Sequence, residues 1–146
     1  MPLSDKARAL FDSKALGMLG LVSEDGTAQV ASVWITRDGD TPVFTAVESR
    51  AQAQTLRRDP RATLTIVDPE NGYSYVELRG RVELEEGQAA NDTIDALAKK
   101  YIDQDTYPWA QPSDVRVLRR PGICRVVAPG PHGGPMHYRL ADARCR

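Results

Sequence analysis

The strongest periodic signal in the chain falls at residues 76–85, where Val76, Leu78, Gly80, Val82 and Leu84 alternate with Glu77, Arg79, Arg81, Glu83 and Glu85. A period of two puts the apolar side chains on one face of an extended strand and the charged ones on the other. Gly80 interrupts the apolar row, which predicts a bend or a close approach to the backbone. A long bent strand of this kind suits a small closed barrel. Upstream, the apolar run 16–22 ends at Ser23-Glu24-Asp25-Gly26, a hairpin signal leading into a second strand over 28–36. Another turn at Arg37-Asp38-Gly39-Asp40 precedes a strand at 43–47. The Thr-, Ile- and Val-rich run 62–67 turns back at Asp68-Pro69-Glu70-Asn71-Gly72. A last strand is expected at 123–127.

Three stretches carry the helical period instead. Ser4 is placed to cap a helix running to about Ser13, with Ala7, Leu10 and Phe11 forming its buried stripe. That helix reads either as packing over a barrel end or as a lid. Residues 51–58 have helix-forming composition and stop at Asp59-Pro60, because the residue before a proline is pushed out of the helical region. From 88 to 101 the stripe is Ala90, Ile94, Leu97, Ala98 and Tyr101. The segment 103–113, with Tyr107-Pro108-Trp109, has no period. Successive hairpins imply an antiparallel meander and exclude a parallel α/β sheet. The expected class is mainly β or α+β, with about six strands in an antiparallel barrel and helices at its periphery.

A chain of 146 residues is one ordinary domain. It is read as a single domain over 1–146, with 129–146, rich in Gly and Pro, as a flexible tail. Nineteen basic against twenty acidic side chains leave a net charge of −1, which argues against nucleic acid and anionic membranes as partners. No apolar run approaches the roughly 20 residues of a membrane span. The N-terminus does not read as a secretory leader, so a cytoplasmic location is expected. Cys124 and Cys145 lack metal-ligand spacing, and neither a metal site nor a disulfide framework is expected. His132 and His137 lie in the tail without a nucleophile tied to either, which disfavours a hydrolase.

The most specific local pattern spans 48–80. Ser49-Arg50 stands at a strand-to-helix turn, the helix ends in Leu56-Arg57-Arg58-Asp59-Pro60-Arg61, and Gly72-Tyr73-Ser74-Tyr75 opens the alternating strand. With Ser49 as N-cap, the free amides of the first turn, the positive end of the helix dipole and the Arg50 side chain converge on one point suited to a phosphate. The basic residues from Arg50 to Arg61 are equally readable as a solvated helix face.

From about Leu16 to Tyr101 these motifs resemble the split β-barrel flavin and deazaflavin reductase superfamily, typified by the pyridoxamine 5′-phosphate oxidases. The closest likeness is to its actinobacterial branch dependent on coenzyme F-420. The resemblance implies a six-stranded antiparallel split β-barrel and a homodimer with cofactor grooves at the interface. The implied chemistry is hydride transfer between deazaflavin C5 and a small conjugated or unsaturated substrate. FMN-dependent oxidoreduction on the same barrel is the alternative, and a non-catalytic dimer with a weakened site is a third reading. Carried over residue by residue, Gln29, Ser32 and Trp34 lie along the ring and its stem. Thr45 and Ala46 stand at the strand end, and Ser49, Arg50, Ala51, Gln52 and Arg57 surround the phosphate. Tyr75 would reach the cofactor from the opposite subunit and is a candidate proton donor. The family's phosphate-binding Lys is replaced by Gln52, which keeps a hydrogen-bond donor and loses the charge. Taken alone, Trp34 reads more readily as a core aromatic than as a cofactor wall, and Tyr75 equally as an interface aromatic.

Overall fold

In a computed structural model the backbone of residues 3–47, 49–129 and 135–139 is described, with side chains as far as residue 116. Glu48, His132, Cys145 and most of 129–146 lie outside the described residues, as do the side chains of Cys124 and His137.

Helix α1 (Asp5–Asp12) starts where its cap requires, with Ser4 Oγ accepting the Ala7 amide at 3.2 Å. It buries Ala7, Leu10 and Phe11, the stripe that its spacing predicts. Strands β1 (Gly17–Val22) and β2 (Ala28–Val33) form the first hairpin. Its turn is closed by Ser23 N to Thr27 O at 2.9 Å, and Gly26 supplies a positive φ of 84°. A three-residue strand β3 (Thr36–Asp38) pairs with β4 (Thr41–Val47) across Gly39 and Asp40. Helix α2 (Ala51–Arg58) then leads into β5 (Arg61–Asp68) and the long β6 (Asn71–Glu86). Helix α3 (Gln88–Ile102), β7 (Arg116–Pro129) and β8 (Pro135–Arg139) complete the order.

All pairings are antiparallel, and the neighbours run β2-β1-β5-β6-β7-β4-β3, with β8 added to β7. The sheet therefore has eight strands, not the six expected, and among the described residues no ladder joins β2 to β3 to close a barrel. The count differs because the expected strand 28–36 breaks at Trp34 and Ile35, leaving β3 separate, and because β8 arises inside the stretch read as tail. The expected strand at 123–127 is the middle of the much longer β7.

The alternation in β6 is reproduced: Val76, Leu78 and Val82 are buried while Arg79, Arg81 and Glu83 are exposed. The predicted irregularity at Gly80 is present as a register shift against β7 between Arg79 and Gly80. The core joins Leu19, Phe44, Leu64, Ile66 and Val76 from the strands and Ile35 from between β2 and β3 to Phe11 of α1 and Leu56 of α2, each at most 2% exposed. Burying each such side chain contributes about 1.5–3 kcal/mol. Phe11, Ala7 and Leu10 belong to that core, so α1 packs on the sheet as a fixed element. Among the described residues no helix is long and apolar enough to cross a membrane.

Candidate functional site

Strand β4 delivers Thr45, Ala46 and Val47 to a turn closed by Arg50 N donating to Val47 O at 3.0 Å. Arg50 itself is the N-cap of α2, with extended backbone and no side-chain cap bond. Sequence preference pointed to Ser49, but the turn ends one residue later and leaves Ser49 as an exposed turn residue. The first amides of α2 therefore lack a side-chain acceptor and lie beside the exposed Arg50, which has no ion pair among the described residues.

These groups form one end of a cavity of about 610 Å³. Its walls come from six places. Gln29, Ser32, Val33 and Trp34 come from β2 and the residue after it, and Thr45, Ala46 and Val47 from β4. Arg50, Ala51 and Gln52 come from the start of α2. Ile94 and Leu97 of α3 form the opposite side, with Tyr107 and Trp109 of the following loop and Arg116 at the start of β7. Eight residues named from the sequence thus share one cavity: Gln29, Ser32, Trp34, Thr45, Ala46, Arg50, Ala51 and Gln52. Three do not line it. Ser49 is outside, Arg57 pairs with Glu86 at 3.1 Å on the far side of α2, and Tyr75 stands on β6 opposite Val67.

Trp34 satisfies both of its readings. One ring face stacks on Tyr101 at 5.4 Å and 6°, and Tyr107 meets it edge-on at 6.0 Å, while the residue remains half-buried and lines the cavity. Tyr107 continues edge-to-face onto Trp109 at 5.6 Å. The loop carrying both is anchored by Tyr107 N donating to Asp95 Oδ1 at 2.9 Å. Thr55 of α2 donates to Gln29 Oε1 at 3.2 Å, which leaves the Gln29 amide nitrogen as a donor toward the cavity side of β2.

The α3 wall is pinned by two adjacent side chains. Lys100 Nζ donates to Phe11 O at 2.5 Å and Ile35 O at 2.6 Å. Tyr101 Oη donates to Ala15 O at 2.7 Å and accepts from Ile35 N at 3.2 Å. Burial pushes the Lys100 ammonium down to about 8, with Asp12 pulling it back up. Burial raises the Tyr101 phenol, so it stays protonated and able to donate at neutral pH.

The profile described as pyridoxamine 5′-phosphate oxidase matches residues 3–120. The chain belongs to that family. Its members include oxidoreductases and bind flavin-type cofactors. Among solved structures, one described as an F-420 reductase superposes with a TM-score of 0.72 at 26% identity, over 85% of this chain and 98% of that one. General stress protein 26 from Bacillus anthracis gives 0.70 at 14% identity, over 93% and 97%. A heme binding protein from Mycobacterium smegmatis gives 0.67 at 24% identity, over 95% of this chain and 59% of that one. The last two share the fold.

The residues that sequence reasoning missed are Val33, Val47, Ile94, Leu97, Tyr107, Trp109 and Arg116. The aromatic pair had a visible signal in Tyr107-Pro108-Trp109. The others arrive through pairing of distant segments.

Proposed function

We propose that the protein is an oxidoreductase that holds the deazaflavin coenzyme F-420 in this cavity and acts on a small conjugated or unsaturated substrate. The observation that carries the reading is the cavity's polarity. Arg50 and the uncapped start of α2 occupy one end, while Trp34, Ile94, Leu97, Tyr107 and Trp109 provide flat or aliphatic surface elsewhere. A cation beside free helix amides suits a phosphate, and the aromatic and aliphatic surface suits a planar ring. The volume lies within the roughly 300–1,000 Å³ usual for small-molecule sites. The F-420 reductase likeness, at 26% identity over most of both chains, supports the deazaflavin over FMN.

When bound, the coenzyme supplies the hydride-transferring carbon. The chain's own contribution is binding and orientation. Gln29, Ser32 and Thr45 offer hydrogen bonds along the stem, Trp34 and the α3 side chains exclude water, and Arg50 with the α2 amides holds the anionic end. FMN at the same place is the second reading, supported by the flavin-binding habit of the family.

A homodimer fits this reading. Met18 and Val30 are exposed on neighbouring strands, Val67 is exposed on β5, and Tyr73 at the start of β6 is 92% exposed. Met18 stands opposite Ser32, a cavity residue, so this apolar face borders the cavity mouth. A second copy packed here would cover the face and could bring its Tyr75 toward the site.

Titration of the purified protein with F-420 and with FMN, followed by quenching of Trp34 and Trp109, tests the proposal. Micromolar affinity for F-420 with FMN weaker is the expected result. FMN bound more tightly would move the reading to flavin chemistry, and no quenching by either would overturn cofactor use and leave a non-catalytic binding protein. Tyr75→Phe with unchanged turnover would remove Tyr75 as proton donor.

A further inference from the structure

We propose that Arg116 is the second anion anchor of the cavity and replaces the charge that Gln52 does not carry. The idea rests on the reading that the cavity takes a phosphate-bearing cofactor, and it concerns how this chain holds that group. Arg116 opens β7 directly opposite Val47, the last residue of β4. Val47 also accepts the Arg50 amide that closes the turn into α2. Two arginines distant in sequence therefore flank one strand end and line one cavity.

The charge balance supports the assignment. Two arginines and no carboxylate line the cavity among the described residues, in a chain whose net charge is −1. Asp95 and Asp114 share a smaller hollow of about 220 Å³ with Arg116 on its other side, but they accept the amides of Tyr107 and Gln111 and neither forms an ion pair with the guanidinium. Arg116 has no ion pair among the described residues. Its guanidinium lies over the Tyr107 ring at 4.9 Å, and its Nη1 reaches Thr45 Oγ1 at a long 3.4 Å. Stacking on the tyrosine orients the fork without neutralising it, so most of its donors stay available to a bidentate anion. A lysine at position 52 would supply its charge from the helix; here the same charge comes from the strand opposite. The expected ligand is therefore anionic at this end, as a phosphate ester is at neutral pH.

The test compares affinities of the wild type, Arg116→Gln, Arg116→Lys and the double variant Arg116→Gln with Gln52→Lys for F-420, FMN and riboflavin, the last lacking the phosphate. Glutamine keeps a donor for Thr45 and removes only the charge. Arg116→Gln should weaken F-420 and FMN about tenfold or more while leaving riboflavin unchanged. Arg116→Lys should recover part of the loss, and Gln52→Lys should rescue the glutamine variant. Equal weakening of FMN and riboflavin would mean that Arg116 only supports the Tyr107 loop, and would overturn the proposal; unchanged binding of all three would do the same. If the wild type binds no flavin or deazaflavin, the functional reading fails by itself. Pyrophosphate, followed by calorimetry, then decides the anchor: binding that Arg116→Gln abolishes supports it, and no binding or binding unaffected by the substitution overturns it.

Discussion

Tyr101→Phe isolates the contact that docks the α3 wall to the segment carrying Trp34. The substitution removes one oxygen and keeps the ring, so the stack on Trp34 at 5.4 Å is retained. What is lost is the acceptor for Ile35 N at 3.2 Å and the donor to Ala15 O at 2.7 Å. Ile35 is fully buried and lies between β2 and β3, where no ladder offers its amide another partner. Removing one partner leaves a buried group unsatisfied at a cost of about 1–3 kcal/mol, against about 0.5–1.5 for an ordinary exchange with water. Both bonds are only partly buried, and about 2 kcal/mol is the working value. Urea unfolding followed by far-UV dichroism should show the midpoint falling by about 1 M, for an m-value near 2 kcal/mol/M. Cofactor affinity should fall less than it does for a variant that removes Trp34 itself. A midpoint within 0.2 M of the wild type would refute the claim that this hydroxyl holds the two segments together.

Two further expectations follow from neighbouring residues. Lys100 is held down to about 8 by burial while its unfolded value is 10.5, so between those pH values the unfolded chain binds more protons and stability should rise with pH; a Lys100→Met variant should be less stable overall and lack the rise, and a wild-type urea midpoint that falls from pH 8 to pH 10 would contradict the argument. At Gly17 an added Cβ would sit 2.9 Å from Leu64 Cδ1 and 3.2 Å from Val33 Cγ2, both in the core, so Gly17→Ala should cost roughly 1–3 kcal/mol and lower the thermal midpoint by several degrees, with an unchanged melt showing that Leu64 has room to move.

The parts of the fold legible in the sequence are those whose signal is local. The period-two run of β6, the Asp25-Gly26 turn and the Ser4 cap each depend on neighbours a few residues away, and each is found as read. Strand β3 carried no such signal because three residues are too few to establish a period, and its separation from β2 depends on Trp34 and Ile35 being claimed by α3. The N-cap of α2 was misplaced by one residue for a related reason. Serine is the better capping side chain, but the length of the turn after Val47 is set by Arg50 N reaching Val47 O, which no propensity encodes. The cavity divides in the same way. The positions named between 29 and 52 lie on or just after β2, at the end of β4 and at the start of α2, and eight of them meet in space. Ile94, Leu97 and Arg116 join them only through the docking of α3 and the pairing of β4 with β7.

That division also bears on how the cavity opens. The wall formed by β2, β4 and the start of α2 is continuous with the sheet through β1 and β7 and is followed by a tight turn, so its shape is fixed by many backbone bonds. The opposite wall, α3 and the Tyr107–Trp109 loop, belongs to no ladder. Among the described residues its polar attachments to the rest of the fold are the Lys100 and Tyr101 bonds to Phe11, Ala15 and Ile35, with burial of Ala90, Leu97 and Ala98 beneath, while Asp95 to Tyr107 N ties the loop to α3 within the wall. Fewer cooperative bonds mean a lower free energy of local opening, so ligand entry should displace the α3 side and leave the anion end in place. Hydrogen exchange provides the comparison: amides of 94–109 should exchange faster than those of β1 and β5, and should slow most when a ligand binds. Equal protection of the two walls in the free protein would remove this asymmetry and with it the assignment of α3 as the movable side.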